Sequence, residues 1–92
     1  MSPYTVFYQS PDGFYFCKTS FNEPAEAEGF VKSKLFVDDG AIFHYILKNG
    51  SELIKGQHEK VCDKTFLATM KYAVELPANV SFMALYPLLR NR

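Results

Sequence analysis

Tyr4, Val6 and Tyr8 alternate with Thr5, Phe7 and Gln9, the period of two that a strand imposes on its side chains. Residues 14–21 repeat the pattern, with Phe14, Phe16, Lys18 and Ser20 on one face and Tyr15, Cys17, Thr19 and Phe21 on the other. Between the two runs stands Ser10-Pro11-Asp12-Gly13. Proline presets φ and the Asp-Gly step supplies the positive φ of a tight turn, so the two runs are expected to pair as a hairpin. The period then changes. Ala27, Phe30, Val31, Lys34 and Leu35 fall at i, i+3, i+4, i+7 and i+8, which predicts a helix over residues 23–36 with Lys34 at its rim. Asn22 is its expected N-cap, Pro24 suits its first turn, and Glu23, Glu26 and Glu28 favour its positive end. Asp38-Asp39-Gly40 is expected to stop it.

A second hairpin is expected from residues 41–48 and 51–57 across Asn49-Gly50. The first of these runs is rich in aromatic and β-branched residues and reads as a central strand. The second, with Glu52, Lys55 and Gln57, reads as an edge. Asp63 is placed to cap a second helix whose apolar positions are Phe66, Leu67, Met70, Ala73 and Val74, closed by Leu76-Pro77. Residues 80–86 alternate again and predict a last strand ended by Pro87, followed by a basic tail. The order ββαββαβ predicts one α+β domain over residues 1–92: a two-layer sandwich, with an antiparallel sheet of about five strands carrying two helices on one face.

Composition adds a hint about surfaces. Nine Phe and six Tyr are more aromatic bulk than a core of this size must hold, so some are expected at the surface as a binding face. Formal net charge is zero, but residues 1–46 carry six acids against three lysines and residues 47–92 carry four acids against seven bases. A free nucleic-acid binder normally has a clear basic excess, which this chain lacks. The start Met-Ser-Pro-Tyr has neither a basic nor an apolar region, and no run is long enough to span a membrane. A cytoplasmic location with no membrane partner is therefore expected, with Cys17 and Cys62 as free thiols serving as small buried hydrophobes.

Candidate chemistry is sparse. Cys17, His44, His58 and Cys62 lack the paired spacing of a zinc site. Cys62 near His58, Lys60 and Lys64 is the only loose setting for an activated thiol, and a packed Cys beside solvated charges explains it as well. The glycines stand singly, so no phosphate-cradling loop forms. No enzyme activity, metal or cofactor is expected. Phe14 and Phe16, two apart on a strand, are placed like the stacking pair of an RNA-recognition sheet. The alternative reading is therefore a small nucleic-acid-binding or regulatory domain that uses this aromatic strand face.

In length, in hairpin-helix-hairpin-helix plan, and in Phe7-Tyr8-Gln9-Ser10-Pro11-Asp12-Gly13 leading to residues 22–30, the chain resembles the small phage-encoded anti-CRISPR proteins, in particular those acting on type I surveillance complexes. The resemblance implies a stoichiometric inhibitor that binds a host ribonucleoprotein in the host cytoplasm and occludes its target nucleic acid. It transfers no functional residue. From the residues themselves, the expected interface is Tyr8, Phe14 and Tyr15 near the first turn, with Lys48, Asn49, Lys55 and Arg90 as polar partners, because aromatics and Arg concentrate interface energy. The partner is expected to be a host protein or ribonucleoprotein, with contact to its RNA open to the basic half. The edge strand leaves homo-oligomerisation by sheet extension open.

Overall fold

Both turns form where their residues call for positive φ. Gly13 has φ 78°, and Asn49 and Gly50 have φ 53° and 79°, the consecutive pair that a type I′ turn requires. The computed structural model describes residues 2–50, 52–56 and 71–79, together with Ala68, Ala84, Tyr86 and Pro87. Over these residues the chain is a small α+β fold: β1 (Tyr4–Gln9), β2 (Phe16–Phe21), α1 (Pro24–Val31), α2 (Lys34–Asp38), β3 (Ile42–Lys48), β4 (Glu52–Gly56) and β5 (Val74–Glu75). The five strands make one sheet in the order β4-β3-β1-β2-β5. Among the described residues no helix is long and apolar enough to cross a membrane.

The expected single helix is one helical segment in two pieces. Asn22 does not cap it; its carboxamide oxygen accepts from the Ser2 hydroxyl at 3.0 Å, and Glu23 takes the N-cap position without a side-chain cap. The break falls at Ser33, whose extended backbone lets its hydroxyl accept from the Phe36 N–H at 3.2 Å. A serine that can satisfy an orphan helical donor competes with continuation of the first helix. The stop is as expected. Gly40, at φ 77°, donates to the Val37 carbonyl while Ala41 donates to that of Phe36, the paired bonds of a Schellman ending.

The sheet is mixed rather than antiparallel throughout. β1 pairs antiparallel with both β2 and β3, and β3 with β4, but β5 runs parallel to β2 through Cys17↔Val74 and Lys18↔Glu75. Val74 was expected to end a second helix. Instead the residues before Pro77 are extended, as proline demands of its predecessor, and Leu76 N–H donates to the Lys18 carbonyl at 2.9 Å. The expected last strand over residues 80–86 is also corrected, since Ala84, Tyr86 and Pro87 are helical. Of the expected helix that Asp63 would cap, Ala68 is helical and Lys71 and Tyr72 lie in a turn; residues 63–67, 69 and 70 lie outside the described residues.

The strand faces follow the alternation, but both faces bury apolar side chains. Under the helical segment lie Val6, Tyr8, Cys17, Ile46 and Leu76 with Ala27 and Phe36. The rings of Tyr8, Phe30 and Phe36 meet edge to face at centroid distances of 5.1–5.7 Å, the arrangement their quadrupoles favour. On the opposite face Phe7, Leu47 and Ala73 form a second cluster, with Phe16, Tyr45 and Leu53 packed against it. The expectation of a single core face is therefore corrected: Leu47 is fully buried on the second side. β1, in the middle of the sheet, is closed on both.

Tyr8 is 2% exposed, not a surface residue. Thr19 Oγ1 donates its one proton to the Leu76 carbonyl at 2.9 Å. The Tyr8 hydroxyl, 2.8 Å away, is therefore the donor to Thr19. The chain of bonds ties β1 to β2 and β2 to the segment following β5. Replacing Tyr8 by Phe removes one bond and is expected to cost about 1 kcal/mol. Thr19→Val removes two and is expected to cost about 2 kcal/mol or more. Urea melts of the two variants check the order, and a Thr19→Val as stable as Tyr8→Phe contradicts it.

Burial pushes the Tyr8 phenol from 10.0 up to about 12 and the Cys17 thiol from 9.0 up to about 12. Both groups are neutral when protonated, so in this range the folded chain holds protons that the unfolded chain releases. The stability they contribute is complete below the unfolded values and lost as pH rises through the folded ones. The urea midpoint is expected to show no loss from these groups between about pH 7 and 8.5 and to fall between about pH 9 and 12. A midpoint rising through that alkaline window contradicts the burial of these groups.

Candidate interaction surface

The loop between β1 and β2 is held by side chains as much as by backbone. Gly13 N–H donates to the Ser10 carbonyl at 2.8 Å, and Ser10 N–H to the Tyr15 carbonyl at 2.9 Å. Ser10, fully buried, donates its hydroxyl proton to the Asp12 carboxylate and accepts from Tyr15 N–H at 3.1 Å. Asp12 Oδ1 also accepts from Phe14 N–H at 3.0 Å, the Asx-turn bond that Asp makes to the backbone two residues on. Gln9 Nε2 donates to the Gly13 carbonyl at 3.0 Å. That assignment leaves Gln9 Oε1 as acceptor from His44 Nε2 at 2.7 Å. His44 is the extra residue of a bulge between Phe7↔Tyr45 and Tyr8↔Phe43. The loop is thus braced from two strands. The hydrogen bonds from Ser10, then from Phe14 N–H, hold the Asp12 carboxyl below its ordinary pKa. Tyr86 adds slightly to the lowering of the Asp12 pKa, and its ring lies 6.4 Å from that of Tyr15.

This framework leaves Phe14 82% exposed. Tyr15, by contrast, is half-buried and packs against the core under the helical segment, so it supports the loop more than it offers a face. Phe16 is half-buried against the second cluster. Phe14 and Phe16 therefore do not make a shared stacking platform.

Other exposed apolar side chains gather at the same end of the sheet. Ile42 starts β3 opposite Gln9, the last residue of β1. Gly40, beside it, abuts the loop: a Cβ there would lie 3.8 Å from Pro11 Cβ. Val37 is 60% exposed in the turn that leads to Gly40. Because β5 runs parallel to β2, residues preceding Val74 lie at the end where residues preceding Cys17 lie. That places Tyr72, 81% exposed, at this end as well. Of the five large hydrophobics exposed among the described residues, Phe14, Tyr72, Val37 and Ile42 are here; Ile54, on β4, is not.

The expected polar partners are elsewhere. Lys48 pairs with Tyr4, its Nζ 5.9 Å from that ring's centroid, and Asn49 N–H donates to the Pro3 carbonyl at 2.8 Å. An open cleft of about 370 Å³ lies beside them, lined by Ser2, Pro3, Thr5, Asn49 and Gly50. Five strand steps separate Tyr4↔Lys48 from Gln9↔Ile42, roughly 17 Å. Lys55 lies opposite Ile46 on the edge strand, and Arg90 lies outside the described residues. The structure thus leaves Phe14 exposed at the turn end, buries Tyr8 in the core and places Lys48 and Asn49 away from the turn end. Tyr72 escaped the sequence reading because it fell on the polar side of an expected helix. The signal that could have found it is Val74 two residues on and Pro77 beyond, which favour an extended segment.

Among the described residues no group of three or more His, Cys, Asp or Glu could hold a metal ion. Cys17 is a buried thiol whose raised pKa is opposite to that of an activated nucleophile. The pair His58 and Cys62 lies outside the described residues. The turn end presents exposed aromatic and aliphatic groups, with the exposed carboxylates of Asp12 and Asp38 at the same end.

Asp12→Ala deletes the acceptor for Ser10 and Phe14 without touching the core. Amide exchange at Phe14 and Tyr15 is expected to speed up about tenfold, the equivalent of about 1.4 kcal/mol of local opening, while β1 amides keep their protection. Hydrogen exchange by NMR checks this, and unchanged rates at Phe14 contradict the bracing role of Asp12.

In comparison with known proteins, the chain matches no family model, no curated protein and no solved structure, so its functional reading rests on the chemistry of this surface.

Proposed function

We propose that this chain is a non-enzymatic protein-binding inhibitor or adaptor that docks through the turn end of its sheet. The observation that carries the reading is that four of the five large hydrophobics exposed among the described residues, Phe14, Tyr72, Val37 and Ile42, lie at that one end. Apolar surface held in water has a cost, and a contiguous patch of it marks contact sites on folded proteins. Aromatic anchors already ordered in the free chain lose little entropy on binding. The bracing of the loop by Ser10, Asp12 and Gln9 supports that role.

The target class, a host ribonucleoprotein such as a type I CRISPR surveillance complex whose nucleic-acid site is occluded, comes from the resemblance in length, in the expected hairpin-helix-hairpin-helix plan and in residues 7–13 leading to residues 22–30. No site residue adds to it. The same resemblance narrows the expected cytoplasmic location to the cytoplasm of the host.

Phe14→Ala and Tyr72→Ala are each expected to melt within about 0.5 kcal/mol of the parent and to weaken binding by about 2 kcal/mol or more. Tyr15→Ala is expected to lower the melting temperature instead. The assay is affinity capture of a multisubunit partner from a susceptible host with the tagged parent and each variant. Capture that is equal for the parent and the Phe14→Ala, Tyr72→Ala double variant contradicts the turn end as the interface. Recovery of the parent only as a free monomer contradicts the protein-binding reading.

A further inference from the structure

We infer that the partner segment seated on the turn end is cationic and presents arginine side chains. The inference rests on the protein-binding reading above and names the chemistry that this end recognises. Phe14 and Tyr72 leave more than four-fifths of their surface in water, so each ring offers a face to a partner. Carboxylates share this end of the sheet. Asp12 is exposed next to Phe14 in the braced loop, and Asp38 is exposed at the end of α2, one residue from Val37. Asp39 adjoins Gly40, which packs on Pro11. Lys71, beside Tyr72, is the cation nearest in sequence to either ring.

An exposed ring next to a carboxylate, as Phe14 is next to Asp12, fits one kind of side chain better than others. A guanidinium stacks on a ring through its flat, weakly hydrated face while its N–H edge pairs with a carboxylate. Lysine offers charge without the planar face, so it is expected to bind less well. A phosphate backbone meets the same carboxylates as like charges, which argues against nucleic acid at this end. Charge complementarity therefore selects an arginine-bearing protein segment as the occupant.

The test is an NMR titration of the full isotope-labelled chain with three short amphipathic peptides of one length, built from Arg and Leu, Lys and Leu, or Glu and Leu. A single-stranded RNA oligonucleotide is a fourth probe. The Arg peptide is expected to shift the amides of Phe14, Asp38, Gly40 and Tyr72, binding about three- to fivefold more tightly than the Lys peptide. The Glu peptide and the RNA are expected to leave those amides in place. Phe14→Ala and Asp38→Asn should each weaken the Arg peptide by about two- to fivefold, the latter less at high salt. Turn-end binding that depends on Phe14 but is equal for the Arg, Lys and Glu peptides overturns the arginine inference and leaves the protein-binding reading standing. Preferential shifts with the Glu peptide or the RNA overturn it too, as does an Arg peptide that shifts amides only elsewhere or none. The partner capture described above fails or succeeds independently of these peptides.

Discussion

Burial of β1 on both faces is the constraint on which the rest of the structure depends. Val6 and Tyr8 close one side and Phe7 the other. A strand closed on both sides must also satisfy every polar group it carries inward, and Tyr8 brings a hydroxyl into the core. Thr19 accepts its proton and passes its own to the Leu76 carbonyl. The bond that relieves the cost of burying a phenol thereby connects β1, β2 and the segment after β5. No buried side-chain polar atom among the described residues lacks a partner, as a domain with so little core to spare requires.

From that centre the function-bearing end follows. β1 and β2 are fixed from within, so the loop between them starts and ends at immobile points. Ser10, itself buried, reaches Asp12 and Tyr15 and converts six residues of loop into a braced turn. Phe14 then has neither core to enter nor freedom to fold back. The same sheet order brings Ile42 and Tyr72 to that end on either side of the loop. Among the described residues the aromatic excess lies mostly in two clusters, with Phe14 and Tyr72 exposed where the strands stop.

Local features were legible in the sequence and non-local ones were not. Gly13, Asn49 and Gly50 marked turns because positive φ is a property of one or two residues. The alternation in β1 and β2 separated their faces correctly for the same reason. The break at Ser33 was readable in principle, since serine competes for helical donors, but the apolar spacing ran through it. Tyr8 was misread as surface because it lies near the first turn in a chain with more aromatic bulk than its core must hold. What takes that proton is Thr19, eleven residues away, in a chain that ends at Leu76, fifty-seven further on. β5, with two residues, carries no periodicity to detect, and its parallel pairing with β2 depends on that long-range contact. Phe14 was legible as exposed only through its turn. Val37, Ile42 and Tyr72 came to the same end of the sheet through topology alone.

The account's central claim is that the free chain holds Phe14 and Tyr72 in water while Tyr8 and Phe7 are closed off on opposite faces of one strand. Hydroxyl-radical footprinting of the isolated protein, read residue by residue by mass spectrometry, tests it most directly. The account predicts fast oxidation of Phe14 and Tyr72 and strong protection of Phe7, Tyr8 and Phe36. Protection of Phe14 in the free chain, or oxidation of Tyr8 as fast as that of Tyr72, would contradict it.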